Sequence, residues 1–172
     1  MEQPLVGVLM GSLSDLEVMQ GCLDTLAKLE IAYEVDVSSA HRSPDKTARY
    51  AAAARERGLR VIVVGAGAAA HLGGVVAAHT TLPVVGVPID SSPLHGMDAL
   101  LATVQMPPGV PVAAMAVGKA GARNAAVFAA QVLALADPAL AARLDRFKAE
   151  QAEAVAEQSR RLREQLGSGG GT

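Results

Sequence analysis

The chain has 172 residues, 51% hydrophobic and 19% charged, with 2% aromatic residues and a formal net charge of -2. This balance excludes a disordered chain, and the near-neutral charge with so few aromatic side chains argues against nucleic acid as a partner. No apolar run is long enough to span a bilayer, so we expect a soluble globular protein with no membrane partner.

Short apolar runs rich in β-branched residues alternate with longer stretches of helical periodicity. The runs predict strands at Leu5–Met10, Ala32–Val37, Arg60–Gly65, Pro83–Val87 and Val112–Val117. The longer stretches predict helices at Asp15–Leu29, Pro44–Arg57, Leu72–Thr81, Met97–Gln105 and Gly121–Ala136. Strands that are apolar on both faces are typical of parallel sheets, so we expect a three-layer, flavodoxin-like α/β domain over residues 1–136. Ligands of such domains bind in the loops that follow the strands.

A different pattern begins after Asp137, where Ala, Glu, Gln and Arg dominate. Apolar residues recur there at steps of three, four or seven and predict one long amphipathic helix over residues 137–166. From Ala139 to Leu166 it would be about 42 Å long at 1.5 Å per residue, so we expect its apolar stripe to pack on a neighbouring subunit. Packing along its own domain is the alternative. The Gly/Ser-rich residues 167–172 are expected to form a disordered tail.

The loop after the first predicted strand contains two hydroxyl side chains at the start of a helix. Ser12 and Ser14, with the free backbone N–H groups of the helix start, suit an anion such as phosphate. Helix capping by Ser14 or Asp15 is the structural alternative for the same residues.

The loop after the second predicted strand places an imidazole beside a guanidinium. His41 and Arg42 lie between Ser39 and Pro44, which starts the next helix. The planar fork of Arg42 suits phosphate, and histidine is the usual proton-transfer residue at neutral pH. Because both lie where a parallel sheet collects its ligand, we favour a functional role over an incidental loop histidine.

The third such loop is rich in glycine and alanine and lets a ligand approach the backbone closely. Gly65, Gly67 and Ala70 fit the dinucleotide-binding pattern Gly-x-Gly-x-x-Ala, with Asp90 at a suitable distance for a ribose hydroxyl. That pattern belongs to the first strand-to-helix turn of its fold, so a dehydrogenase is only a third alternative. His71 lies at a helix start, which favours a neutral hydrogen-bonding role.

The other histidines, His79 and His95, fit no zinc-binding spacing, so we predict no metal site. The loop that contains His95 returns to a helix and is interpreted as a lid or an interface. The single Cys22 leaves no internal disulfide and no leader segment opens the chain, so we expect a cytoplasmic protein.

Several segments form a specific combination when taken together. They are Gly11–Asp15, Ser39–Pro44, Gly65–Leu72, Val104–Pro107 and Asn124–Ala126. The combination resembles the bacterial class I N5-carboxyaminoimidazole ribonucleotide mutases of purine biosynthesis. The resemblance implies an isomerase with no cofactor that moves a carboxylate from N5 to ring carbon C4 of an aminoimidazole ribonucleotide. It implies decarboxylation and recarboxylation, with carbon dioxide as the bound intermediate, and a homo-octamer.

The resemblance also implies the roles of individual residues. His41 would be the general acid/base that relays a proton between nitrogen and C4, and His71 would hold the carboxylate or orient the base. The implied substrate-binding residues are Ser12, Ser14, Asp15, Ser39, Arg42, Gly67, Ala68 and Leu72.

Ala68, Gly73 and Val75 depart from the family's pattern, which commonly has Gly, Pro and Met at these positions. A less closed pocket, and with it direct carboxylation of aminoimidazole ribonucleotide, stays open. The alternative from another class is a nucleotide- or flavin-binding module with no catalytic role. The lack of Trp, and the placement of Tyr33 in a strand and Tyr50 in a helix, count against flavin stacking.

Overall fold

The structure, a computed structural model, describes residues 3–167. A sheet of five parallel strands forms the centre of the α/β domain. The strands are β1 (Val6–Met10), β2 (Tyr33–Val37), β3 (Val61–Gly67), β4 (Val84–Ile89) and β5 (Ala113–Ala114). The helices are α1 (Leu16–Lys28), α2 (Pro44–Ala53), α3 (Leu72–Ala78), α4 (Met97–Val104), α5 (Lys119–Ala134) and α6 (Pro138–Gly167). The spatial order β2-β1-β3-β4-β5 confirms the predicted flavodoxin-like topology.

Burial differs between the centre and the edge of the sheet. Every residue of β1 and of β4 is buried, which explains why these strands are apolar on both faces. The edge strand β2 is only partly covered, and its Val35 and Val37 are exposed. The register is continuous across the middle of the sheet, with Met10 of β1 opposite Gly65 of β3. The carboxyl ends of β1, β2 and β3 therefore lie side by side.

The last strand is much shorter than predicted, Ala113–Ala114 instead of Val112–Val117. Gly86 O accepts a hydrogen bond from Met115 N at 2.8 Å, and Pro88, two residues along β4, accepts one from Gly118 N at 2.9 Å. Pro88 therefore faces the last strand, and it has no N–H to donate. The regular ladder ends where this donor is missing.

Helix α5 presents a face of very small residues to the core. Its buried residues are Gly121, Ala122, Ala125, Ala126, Ala129 and Ala130. A Cβ atom on Gly121 would lie 1.6 Å from Ala116 O, so the backbone of the helix start touches the preceding segment directly. The absence of long side chains allows this close approach.

The chain divides into two compact units, one ending at Leu133 and one beginning at Ala134. The second contains α6, whose 30 residues confirm the predicted long C-terminal helix. Asp137 Oδ1 accepts hydrogen bonds from Ala139 N and Leu140 N and so caps its start. Packing of α6 on a neighbouring subunit stays a prediction.

Gly167 is the last residue of α6, and the rest of the predicted tail, residues 168–172, lies outside the described residues. Between residues 3 and 167, no helix combines the length and the apolar character needed to cross a membrane.

Candidate active site at the carboxyl ends of the strands

A cavity of about 340 Å³ opens where β1, β2, β3 and β4 end. Its lining residues are Gly11, Ser12, Ser14, Asp15, Ser39, Ala40, His41, Arg42, Ala66, Gly67, Ala69, Leu72 and Ser91. Most residues that the sequence analysis singled out are therefore brought together here. His71 joins them through its contact with His41, whereas Ala68 is not part of the lining.

The loop after β1 forms a short 3₁₀ turn, Leu13–Asp15, before α1 begins. Ser12 Oγ accepts a hydrogen bond from Ser14 N at 3.4 Å and from Ser14 Oγ at 3.0 Å. Asp15 Oδ2 accepts a bond from Ser12 N at 3.0 Å, which completes a capping box. The residue that caps this turn is Ser12, and not Ser14 or Asp15 as the capping alternative had it; the Asp15 side chain makes no capping hydrogen bond to α1. Ser12 and Ser14 also line the cavity, so capping and binding are compatible here.

Asp15 is buried, and burial raises the pKa of its carboxyl group above the ordinary value. Hydrogen bonds from the backbone of Ser12 and Gly11 and the charge of Arg42 act in the opposite direction, with smaller effect. The cavity lining thus includes a carboxyl group that is more easily protonated than one in water.

The loop after β2 is held by hydrogen bonds within itself. Ser39 N donates to Ser43 Oγ at 3.2 Å, Ser43 Oγ donates to Ser39 O at 3.1 Å, and Ser39 Oγ accepts from Arg42 N at 3.1 Å. The Arg42 guanidinium reaches back to Gly11 O at 3.1 Å, which ties the two loops together. Within the described chain, no carboxylate forms an ion pair with Arg42, so its charge is available to an anion in the cavity.

This loop is anchored below by two buried hydroxyl groups. Ser38 and Thr47 are 1% and 0% exposed, and their hydroxyl oxygens lie 2.7 Å apart. Thr47 Oγ1 also donates to Ser43 O at 3.3 Å. A hydroxyl has one proton, so Ser38 is the donor in the shorter bond. The pair fixes α2 to the loop that carries His41 and Arg42.

His41 and His71 come from different loops and contact each other directly. His41 Nε2 lies 2.8 Å from His71 Nδ1, and the rings meet edge to face with centroids 4.9 Å apart. A hydrogen bond between two imidazole nitrogens requires one to carry a proton and the other to lack one. The pair therefore holds one proton between the rings, which suits reversible proton transfer.

Two features of the third and fourth loops lay outside the sequence predictions. Ala68 adopts φ +48°, in the left-handed region, where alanine is strained and glycine is not. Ser91, in the loop after β4, lines the cavity beside Gly67. The sequence signal for Ser91 was a serine two residues after a buried strand, and that signal is weak because serines are common in loops.

The other two histidines lie elsewhere. His79 directly follows α3 and lines a separate depression with Arg55 and Thr81. His95 lies in the loop before α4, with its Nδ1 4.0 Å from Asp90 Oδ1. Across residues 3–167, no group of three or more His, Cys, Asp and Glu residues is arranged to hold a metal ion.

Comparison with known proteins extends this picture beyond the site. A profile of the family described as AIR carboxylase matches residues 5–154. The chain belongs to the AIR carboxylase family. Among its relatives is the N5-carboxyaminoimidazole ribonucleotide mutase of Bacillus subtilis, 54% identical over 93% of this chain and 99% of that protein. The protein of the same name from Pseudomonas aeruginosa is 55% identical over 88% of this chain and 93% of the relative.

Solved structures agree with this membership of the AIR carboxylase family. Treponema denticola PurE superimposes with a TM-score of 0.80 at 25% identity, covering 92% of this chain and 98% of that one. Treponema denticola PurE2-S38D has a TM-score of 0.82 at 23% identity and supports the fold alone.

Proposed function

We propose that this protein is an isomerase of purine biosynthesis that converts N5-carboxyaminoimidazole ribonucleotide to 4-carboxy-5-aminoimidazole ribonucleotide. The observation that carries the proposal is the contact between His41 and His71 in the cavity that also contains Arg42. A proton relay and an anion site lie together there. The names of relatives that share about half of the sequence support the same reaction.

The proposed chemistry needs one proton in each direction. His41, as general acid, protonates N5 while the bond from N5 to the carboxylate breaks, which releases carbon dioxide and the free amine. Ring carbon C4 then attacks the carbon dioxide, and His41, now a base, removes the proton that C4 carries. The proton returns to its origin and the reaction as written calls for no cofactor, metal or ATP.

The division of the cavity walls fits these steps. Ser12, Ser14, Ser39 and Arg42 offer hydroxyl groups and a positive charge for the ribose phosphate. Ala66, Ala69 and Leu72 form an apolar wall beside the imidazole pair. We assign to this wall the retention of carbon dioxide, an apolar molecule that would otherwise escape before C4 attacks it.

The proposal is tested by turnover of N5-carboxyaminoimidazole ribonucleotide in the absence of ATP and with a chelator present. We expect conversion by the natural protein and a loss of about 10²- to 10⁴-fold in kcat for His41→Asn, the range typical of a missing general acid/base. His79→Asn is the matched control, since His79 lies outside the cavity, and it should retain full activity.

Absence of turnover by the natural protein would refute the isomerase. Bicarbonate-dependent carboxylation of aminoimidazole ribonucleotide would then indicate direct carboxylation. Binding of a flavin or nicotinamide nucleotide without turnover would favour a binding module instead. A His41→Asn variant as active as the His79→Asn control would remove His41 from the proposed mechanism.

The proposal includes a homo-octamer in the cytoplasm, where a phosphorylated substrate that does not cross membranes unaided is retained. Helix α4 supports association, because Met97, Leu101 and Val104 are exposed at helical spacing on one side of it. Light scattering after gel filtration should give eight times the chain mass. A monomeric mass would refute the assembly.

A further inference from the structure

We propose that Ser91 binds the carboxylate that the reaction transfers, as a hydrogen-bond donor on the side of the cavity opposite the phosphate-binding residues. This inference deepens the proposed function and rests on it. Ser91 lies in the loop after β4, outside the motifs that carry the family resemblance.

The position of Ser91 follows from the topology of the sheet. The loops after β1 and β2 supply Ser12, Ser14, Ser39 and Arg42, and β3 separates them from β4 in the strand order. The cavity thus has a cationic side over β1 and β2 and a side over β3 and β4. The residues that line the second side are Ala66, Gly67, Ala69, Leu72 and Ser91.

Ser91 is the residue among these with a polar side chain. In the part of the chain that the structure describes, no hydrogen bond engages its hydroxyl group, whereas the Ser12, Ser14 and Ser39 hydroxyls are all bonded to protein atoms. The Ser91 hydroxyl, which has no partner among the described residues and lies among apolar side chains, can therefore donate a hydrogen bond to an acceptor on the substrate. The loop after β3, which forms part of this side, also carries His71, and His71 contacts the proposed proton-transfer residue His41. The acceptor that the proposed reaction offers on this side is therefore the carboxylate.

Gly67 makes room for that hydroxyl. A Cβ atom on Gly67 would lie 1.8 Å from Ser91 Oγ and 3.1 Å from Ile89 O. The hydroxyl therefore occupies the volume that any side chain at position 67 would need. The family resemblance implied that Gly67 binds substrate, and this contact gives it a definite role: it keeps the Ser91 donor in the wall of the cavity.

The test compares two ligands that differ by the carboxylate alone. Isothermal titration calorimetry would measure binding of 4-carboxy-5-aminoimidazole ribonucleotide and of 5-aminoimidazole ribonucleotide to the natural protein, Ser91→Ala and Ser92→Ala. A hydrogen bond to a charged group corresponds to an affinity loss of about 10- to 150-fold. We expect that loss for the carboxylated ligand with Ser91→Ala, and unchanged affinity of the same variant for the ligand without the carboxylate.

Ser92→Ala is the matched control because Ser92 lies in the same loop but not in the cavity lining, and its hydroxyl accepts a bond from Leu94 N at 3.1 Å. It should bind both ligands as the natural protein does. Gly67→Ala is a second variant that displaces the hydroxyl without removing it, and it should weaken binding of the carboxylated ligand.

Equal losses for both ligands with Ser91→Ala, or no loss for either, would overturn the assignment of Ser91 while leaving the proposed function intact. Failure of the natural protein to bind either ribonucleotide would overturn the proposed function itself, so the two failures are distinguishable.

Discussion

Removing one hydroxyl group or the other from the buried pair Ser38 and Thr47 should lower the free energy of unfolding by different amounts. Thr47→Val preserves the shape of the side chain but leaves the Ser38 proton without an acceptor at a site that is 1% exposed. An unsatisfied buried donor costs about 1–3 kcal/mol. Ser43 O is not orphaned by the change, because it still accepts from Thr47 N at 3.2 Å.

Ser38→Ala is expected to cost less, about 0.5–1.5 kcal/mol, the usual worth of one hydrogen bond. The Thr47 hydroxyl keeps its own acceptor, Ser43 O, so no buried donor is left unpaired. In the double variant, Ser38→Ala removes the hydroxyl proton that Thr47→Val alone would leave without an acceptor. Its cost should therefore be smaller than the sum of the two single costs.

Urea unfolding followed by circular dichroism at one fixed protein concentration measures all four free energies of unfolding. The expected order of destabilisation is Thr47→Val above Ser38→Ala, with a double variant that is less than additive. Equal costs for the single variants, a larger cost for Ser38→Ala, or strict additivity would refute the assignment of Ser38 as the donor.

Two further predictions concern the loops around the cavity. Ala68→Gly should raise the free energy of unfolding by up to about 1 kcal/mol, because it relieves the left-handed strain at φ +48°. The control is Ala69→Gly, at an adjacent exposed residue without a positive φ, and it should lower the free energy of unfolding by about 0.5–1 kcal/mol. If the urea midpoints of both variants moved in the same direction, the strain assigned to Ala68 would be contradicted. Asp15→Asn should alter the pH dependence of the free energy of unfolding, because the pKa of Asp15 is raised in the folded protein. The stabilising contribution of the protonated Asp15 carboxyl is full below about pH 3.9 and is lost as the pH rises through the pKa of the folded state. Unfolding free energies from pH 3 to 7 should therefore shift progressively in favour of the neutral variant as the pH rises, and a shift in favour of the natural protein would show that the hydrogen bonds outweigh burial.

Local sequence patterns predicted most of the fold because each one reports burial directly. The strands β1 and β4 are recognisable from continuous apolar runs, and those runs exist because both faces of each strand are covered. The length of the last strand was predicted wrongly because it does not depend on that segment's own sequence alone. Its length depends on Pro88 of the neighbouring strand, and pairing is a property of two strands at once.

The candidate site was predictable as far as it follows from the rule that ligands of parallel α/β sheets bind in the loops after the strands. Since the loops after the strands meet at one edge, His41 and Arg42 were expected near the third loop, and the structure brings His41 to 2.8 Å from His71. The backbone conformation of Ala68 was not predictable, because alanine gives no sign of a positive φ. Ser91 was missed because its significance depends on the bare Cα of Gly67, a contact between distant positions in the sequence.

The small-residue face of α5 has a consequence for how the protein tolerates sequence change. In a library that samples every residue at every position, the six buried alanine and glycine positions of this helix should reject almost every substitution, since every replacement except Ala→Gly is larger. Intervening exposed positions such as Arg123 and Asn124 should accept most residues. Among the surviving variants, the positions that tolerate no larger side chain would thus recur every three to four residues. That spacing would identify α5 as a helix by the side-chain size each position accepts, and not by hydrophobicity.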